Sequence, residues 1–273
     1  MKHRFTLRLS VLVALALGGI ACLRADDALF IGNSYTFGGP EQAVNAHGGV
    51  PKLVEAIAVS KGKKLSTLML AVPGKNLAYH LSQPQTDEDL KAKPWDWVVL
   101  QGFSTEATHM GSPDDFLKNG VEFYKRIMAA DPKARVVLYE TWSRPKGSPY
   151  YTGESTPKSF ADQKEMDSEI QKNYTELYRR MEAIDPGHQI ALAPVGLAFQ
   201  MSREKYPDIN LNFTDLHHAN TAGSYLAALV IYATIYQDTP KGATREFFGT
   251  SLDEALASKL QEIAGEAIAA QAK

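Results

Sequence analysis

The sequence predicts a three-layer α/β/α sandwich built on a five-stranded parallel sheet. Three observations lead there. Short apolar runs alternate with longer amphipathic stretches from one end of the chain to the other, the pattern of a parallel sheet between helical layers. The chain has 273 residues, 44% of them hydrophobic, enough for one α/β domain with a large buried core. It contains no internal repeat, heptad array or low-complexity run, which argues against a solenoid or coiled-coil scaffold.

The elements follow in order. Lys2, Arg4 and Arg8 precede an apolar stretch over 9–20 that is short for a bilayer span, and small residues come next. This is the pattern of a secretory signal, so 1–25 is expected to be removed and 26–273 to form a single exported domain, periplasmic or secreted, with no membrane span in the mature chain. The alternative is a lipoprotein: GIAC, ending at Cys22, loosely resembles a lipid-attachment site, although Gly19 is unusual at its first position. Cys22 is the only cysteine, so the mature body holds no internal disulfide and its stability rests on its core. Strands are expected at 28–32, 65–70, 97–101, 136–140 and 189–193. Ser112 and Pro113 open a helix whose apolar face carries Phe116, Gly120, Phe123, Tyr124 and Ile127. Met166, Ile170, Tyr174, Leu177 and Met181 mark another, and 222–236 reads as a buried helix capped near Asn220 or Thr221. The last opens with Ser251 and Glu254 as a capping box.

Formal charge is 29 minus 31, or −2, and removal of Lys2, Arg4, Arg8 and Arg24 gives 25 minus 31, or −6, for the mature chain. A mildly acidic body argues against nucleic-acid partners and against adhesion to anionic membranes. Oligomeric state is not legible.

Chemistry concentrates in two places. Ser34, in LFIGNSYTFG, follows an apolar strand and a glycine that frees the turn, so it sits at a strand's carboxyl end, where open α/β sheets bind ligands. Asp215 and His218, three residues apart in TDLHHAN, lie on one loop before the buried helix. A serine hydroxyl needs an imidazole to take its proton, and the imidazole needs a carboxylate to fix its tautomer; Ser34, His218 and Asp215 are the three parts. Asp215, His217 and His218 also have the residue types of a metal site, but no second ligand group occurs at suitable spacing, and neither metal nor cofactor is expected.

The order Ser, Asp, His occurs in α/β-hydrolases too, but their elbow is G-x-S-x-G and this chain has Gly32, Asn33, Ser34, Tyr35 and Thr36. From about Leu29 to about Pro240 the chain resembles the SGNH (GDSL-like) hydrolase superfamily, and within it a bacterial exported subgroup with GNS at the nucleophile block. The resemblance implies a flavodoxin-like sheet order, Ser34 as nucleophile, Asp215 and His218 as the terminal D-x-x-H pair, and an oxyanion hole from the N–H groups of Ser34 and Gly74. The third block departs from the family's G-x-N-D: DWVVLQGFST offers no asparagine. Gln101, whose primary amide best replaces another, is the expected third donor, with Ser104 the alternative.

The segment 143–160, rich in Gly, Pro, Ser and Thr, interrupts the alternation at the end of the sheet where the nucleophile lies. Trp142, Tyr150 and Tyr151 are candidate flat surfaces for a sugar ring or acyl group, and His80 and Asn33 are candidate neighbours of the cleft, Asn33 as a tie between loops. Together these features predict an exported serine esterase acting on a small-molecule or glycan ester, with short acyl groups on carbohydrate preferred. Hydrolysis of lipid, lysophospholipid or thioester is the enzymatic alternative. A non-catalytic carbohydrate-binding protein on a hydrolase scaffold is the alternative of another class.

Overall fold

The computed structural model describes residues 25–152 and 160–271. The expected signal segment up to Arg24, with Cys22, and part of the loop 143–160 lie outside the described residues. Five parallel strands, β1 (Asp26–Gly32), β2 (Leu65–Ala71), β3 (Trp97–Leu100), β4 (Arg135–Tyr139) and β5 (Ile190–Ala193), form one sheet in the order β2-β1-β3-β4-β5. They match the expected runs to within a residue or two.

Strand side chains alternate between two cores, as the period of two demands. Ala28 and Phe30 of β1 face the layer made by the helices Gly49–Ser60, Val195–Lys205, Thr221–Tyr236 and Glu254–Gln271. Leu29 and Ile31 face the opposite layer, made by Leu77–Leu81, Pro84–Lys91, Pro113–Ala130 and Gln163–Ile184. With both faces covered, the inner strand β3 is apolar and buried throughout, whereas the edge strand β2 carries Ser66 and Thr67 and is largely unburied. The helix Thr221–Tyr236 is buried from Ala222 to Ile235, which explains why it reads as apolar all round. Among the described residues no helix is long and apolar enough to cross a membrane.

Caps explain most helix starts. Ser112 accepts from the Asp115 N–H at 3.3 Å, and Asn220 from the Gly223 N–H at 3.0 Å. The last helix differs from expectation. Ser251 belongs to a two-stranded ribbon, Glu246–Phe247 against Thr250–Ser251, and Asp253 caps instead through the Leu256 N–H at 2.9 Å. Ribbon pairing takes Ser251 out of reach of the helix, and a carboxylate at the helix start also suits the positive end of its dipole.

Sheet order reverses between β1 and β3: β2 lies on one side of β1, and β3 to β5 continue on the other. The crevice outside the carboxyl ends of β1 and β3 is the topological switch point, the usual ligand site of such sheets.

Candidate active site

The loop leaving β1 is held from beneath. Gln101, directly after β3 and 1% exposed, accepts from the Asn33 N–H at 3.0 Å and from the Thr36 hydroxyl at 2.9 Å through the same oxygen. A Cβ on Gly32 would lie 2.6 Å from that oxygen and 2.3 Å from Thr36 Oγ1, so only glycine permits the approach. Asn33 donates its side-chain amide to the carbonyls of Lys75 at 2.9 Å and Gly102 at 3.4 Å, tying together the loops that follow β1, β2 and β3. Its carbonyl oxygen caps the short helix Ser34–Phe37 through the Tyr35 N–H at 3.2 Å. Ser34 is the first residue of that helix and is partly exposed.

Asp215 and His218 sit on a tight loop closed by the Asn212 to Ala219 bridge and by the Phe213 N–H to the His218 carbonyl at 2.8 Å. Leu216 adopts a left-handed φ of 55°, which bends the chain so that one Asp215 oxygen accepts from the N–H groups of His217 at 2.9 Å and His218 at 3.0 Å. The other oxygen is 2.7 Å from His218 Nδ1. Burial acts to raise the Asp215 pKa, but the bonds from the His218 ring and the two amides outweigh it and hold the carboxyl below its usual range. An ionised carboxylate only accepts, so Nδ1 carries a proton, and in the neutral ring Nε2 is the acceptor. Nε2 is buried and has no hydrogen-bond partner among the described residues.

Two side chains join this loop to the nucleophile loop. The Tyr35 hydroxyl donates to the His217 carbonyl at 3.1 Å, and Trp142 Nε1 donates to the same carbonyl at 3.3 Å. The Tyr35 ring meets the His218 ring edge-on with centroids 5.7 Å apart. A Cβ on Gly39, whose φ is 53°, would lie 2.5 Å from the His218 ring, so the segment after Ser34 is packed directly on the imidazole. The Ser34 hydroxyl makes no hydrogen bond among the described residues, and its bond to Nε2 is unmade.

Arg144 was not anticipated from sequence. It is 3% exposed and has no carboxylate partner among the described residues; its guanidinium donates to the Tyr35 hydroxyl and, at 3.0 Å, to Ser104 Oγ. Burial, reinforced by this nearby cation, pulls the His217 pKa down to about 3, so His217 is neutral where it stacks on His218 at 4.2 Å. Tyr35 was likewise missed, although its place beside Ser34 was a usable signal.

Several expectations need correction. Gln101, expected as an oxyanion donor, is buried beneath the nucleophile loop, with its oxygen on Asn33 and Thr36 and its nitrogen on the Gly102 carbonyl, so its amide holds the loop. Ser104, the alternative, is buried against Arg144. His80 does not face the cleft: it is buried, and Nε2 donates to the Gly32 carbonyl at 2.8 Å, with burial holding its pKa below the ordinary value. Trp142 is stacked between Tyr35 at 4.0 Å and Phe199 at 4.5 Å, a core position closed to any ligand. Tyr151 donates to the Arg144 carbonyl at 2.8 Å, and both Tyr150 and Tyr151 pack on the core as pins for the loop. Asn33, read as a tie between loops, is buried with its amide on the carbonyls of Lys75 and Gly102. Gly74 is exposed, and neither its N–H nor that of Ser34 has a partner among the described residues.

The corrected role of Gln101 is testable. Gln101→Ala strands the buried Asn33 N–H and Thr36 hydroxyl and is expected to cost about 3 kcal/mol, lowering Tm by roughly 6 to 12 °C in a domain of this size. An unchanged melting temperature would return Gln101 to the role of free donor.

No family model matches the chain, and no curated protein matches it in sequence. Solved structures do match in fold. A DUF4886 family protein from Bacteroides uniformis superposes with a TM-score of 0.70 at 15% identity, over 92% of this chain and 97% of that one. A candidate SGNH hydrolase from Slackia heliotrinireducens gives 0.55 at 24% identity, over 78% of this chain and 100% of that one. A psychrotrophic esterase from a Pseudoalteromonas species gives 0.53 at 15% identity, over 78% and 97%. The chain has the SGNH hydrolase fold. In this SGNH sheet, Ser34 follows β1 at the crevice between β1 and β3, the loop of Asp215 and His218 packs on the segment after it, and Asn33 ties it to Lys75 next to Gly74, whereas His80 and Trp142 are buried.

A groove of about 560 Å³ opens in that crevice between the loop carrying Gly74 and the loop after β3. A second cavity, of about 540 Å³, lies at the carboxyl end of the helix Thr221–Tyr236. His218 precedes the other end of that helix, which is about 24 Å long, so this second cavity lies far from the Asp215 and His218 loop.

Proposed function

We propose that the protein is an exported serine esterase that hydrolyses short acyl esters, chiefly acetyl groups on carbohydrate. Ser34 is the nucleophile, His218 the general base and Asp215 the group that orients it. One observation carries the reading: a histidine whose Nδ1 is fixed by Asp215 at 2.7 Å and whose Nε2 is buried and unpartnered packs its ring on the segment that follows Ser34. A bond between nucleophile and base that is unmade in the free protein is common in such sites and tightens when substrate binds. The fold neighbours named as lipases and esterases support the same class.

The chemistry follows from these positions. His218 Nε2 takes the Ser34 proton as the oxygen attacks the ester carbonyl, and the tetrahedral oxyanion accepts from the unpartnered N–H groups of Ser34 and Gly74. The imidazolium then gives its proton to the departing alkoxide, releasing the alcohol and leaving an acyl-serine. A water deprotonated by the same nitrogen attacks this ester, and the imidazolium returns that proton to the Ser34 oxygen as the C–O bond breaks and the acid leaves. Asp215 stays ionised throughout. Export rests on the basic and apolar N-terminal segment, with 26–273 as the mature domain.

Acyl length is the test. kcat/KM for p-nitrophenyl esters is expected to fall from acetyl through butyryl to octanoyl, and acetate to be released from an acetylated xylan. A lipid-binding channel would instead gain about 0.8 kcal/mol, close to fourfold, for each methylene buried. A steady rise toward octanoyl without acetate release from the glycan overturns the carbohydrate preference.

A further inference from the structure

The groove beside Gly74 is lined by Asn76, Tyr79, Phe103, Glu106 and Asp115. None of these belongs to the residues that carry out ester cleavage, and Glu106 is the least expected of them. It is a carboxylate only 4% exposed in a loop that closes over the end of β3. One oxygen accepts from Asn76 Nδ2 at 3.0 Å and the other, weakly, from the Phe103 N–H at 3.4 Å. No Lys or Arg pairs with it among the described residues.

An ionised carboxylate accepts about four hydrogen bonds, so Glu106 keeps roughly half its capacity unmet. Burial, opposed by the Phe103 and Asn76 bonds and aided by Asp115 across the groove, raises its pKa. Hydroxyl donors arriving from a ligand would relieve that cost. A cation would relieve it too, but a metal needs several converging oxygens, whereas Asn76 turns its nitrogen to Glu106 and its oxygen to the Tyr79 N–H at 3.1 Å. An acyl chain is disfavoured, because its methylenes would be buried against two carboxylates. What fits is a molecule with adjacent hydroxyls and an apolar C–H face: the hydroxyls meet Glu106, and the C–H face meets the ring of Phe103.

Position fixes what that molecule is to the reaction. Asn33, one residue before Ser34, donates to the carbonyls of Lys75 and Gly102, the two loops between which the groove opens. The groove therefore lies beside the loop that carries the nucleophile, with Gly74 and Lys75 on its rim. We propose that it is the subsite for the sugar of the ester substrate, that the sugar is neutral, and that Glu106 is its specificity-determining residue, reading adjacent hydroxyls. The subsite rests on the esterase reading for its purpose, but sugar binding itself does not require turnover.

The experiment separates the two. Xylotriose binding to the mature wild-type protein and to Glu106→Gln is measured by calorimetry, with thermal unfolding as the check on folding. Glutamine keeps the size of the side chain and an oxygen for Asn76 but loses the charge and half the acceptors. The expected result is millimolar binding by wild type and about a tenfold weaker Kd in the variant, the worth of a charge-assisted hydrogen bond. In parallel, the ratio of kcat/KM for acetylated xylo-oligosaccharide to that for p-nitrophenyl acetate is expected to fall by a similar factor. If Glu106→Gln does not fold, Asp115→Asn on the exposed rim replaces it, with a smaller loss of the same sign. Absence of xylotriose binding to wild type, or equal binding by the folded variant, overturns the proposal. Binding that depends on Glu106 in a protein without turnover keeps the subsite and sinks the esterase.

Discussion

Ser34→Ala is expected to leave a folded protein without ester turnover. Because the members of the proposed triad would act as a unit, loss of Ser34 is expected to lower kcat on p-nitrophenyl acetate by a factor on the order of 10⁴ to 10⁶. Thermal unfolding is expected to stay at the wild-type temperature, since the Ser34 hydroxyl makes no hydrogen bond among the described residues. Normal hydrolysis by the folded variant would move the chemistry to another residue.

Asp215→Asn is expected to cost about 10⁴ in kcat, nearly as much, for a reason of tautomers. Asparagine can offer its NH₂ to His218 Nδ1, which then becomes the acceptor and leaves the proton on Nε2, where it blocks attack. The wild-type carboxyl is held below its usual range because, against the cost of burial, the bonds from His218 and His217 favour the charged form. The sign follows: the pairing stabilises the loop above about pH 4 and is lost as pH falls through the lower folded value. Asp215 therefore stays ionised between about pH 5 and 7, and an acid limb in that range reports a different group. Activity of Asp215→Asn close to wild type across this range would remove the orienting role.

Sheet, strand positions and the loops bearing Ser34 and Asp215 were legible because each is written in local pattern: a run of apolar residues, a glycine where the chain turns, an acid and a histidine three residues apart. Side-chain orientation was not. Trp142 follows a strand end exactly as a ligand platform would, and only the stacking of Tyr35 and Phe199 on its two faces makes it core. Gln101 sits where the family pattern expects an amide donor, yet its oxygen is claimed by a loop 68 residues earlier in sequence. His80 turns inward to the Gly32 carbonyl, a contact across 48 residues. Glu106 had a signal, an acid in the polar stretch after β3, but its burial comes from the way the neighbouring loops fold over it.

The two walls of the crevice differ in what they tolerate. His218 stands on the loop that leads into a helix buried from Ala222 to Ile235, so that wall is anchored in the interior of the molecule. Facing it, Pro73, Gly74 and Lys75 on one loop and Gly111, Asp114 and Asp115 on another are open to solvent. Directed evolution toward a new ester should therefore draw its libraries from the second wall, where exposed positions absorb change cheaply, sparing Gly74, whose φ of 69° favours glycine. Substitutions along the first would be filtered by folding before selection ever saw their activity.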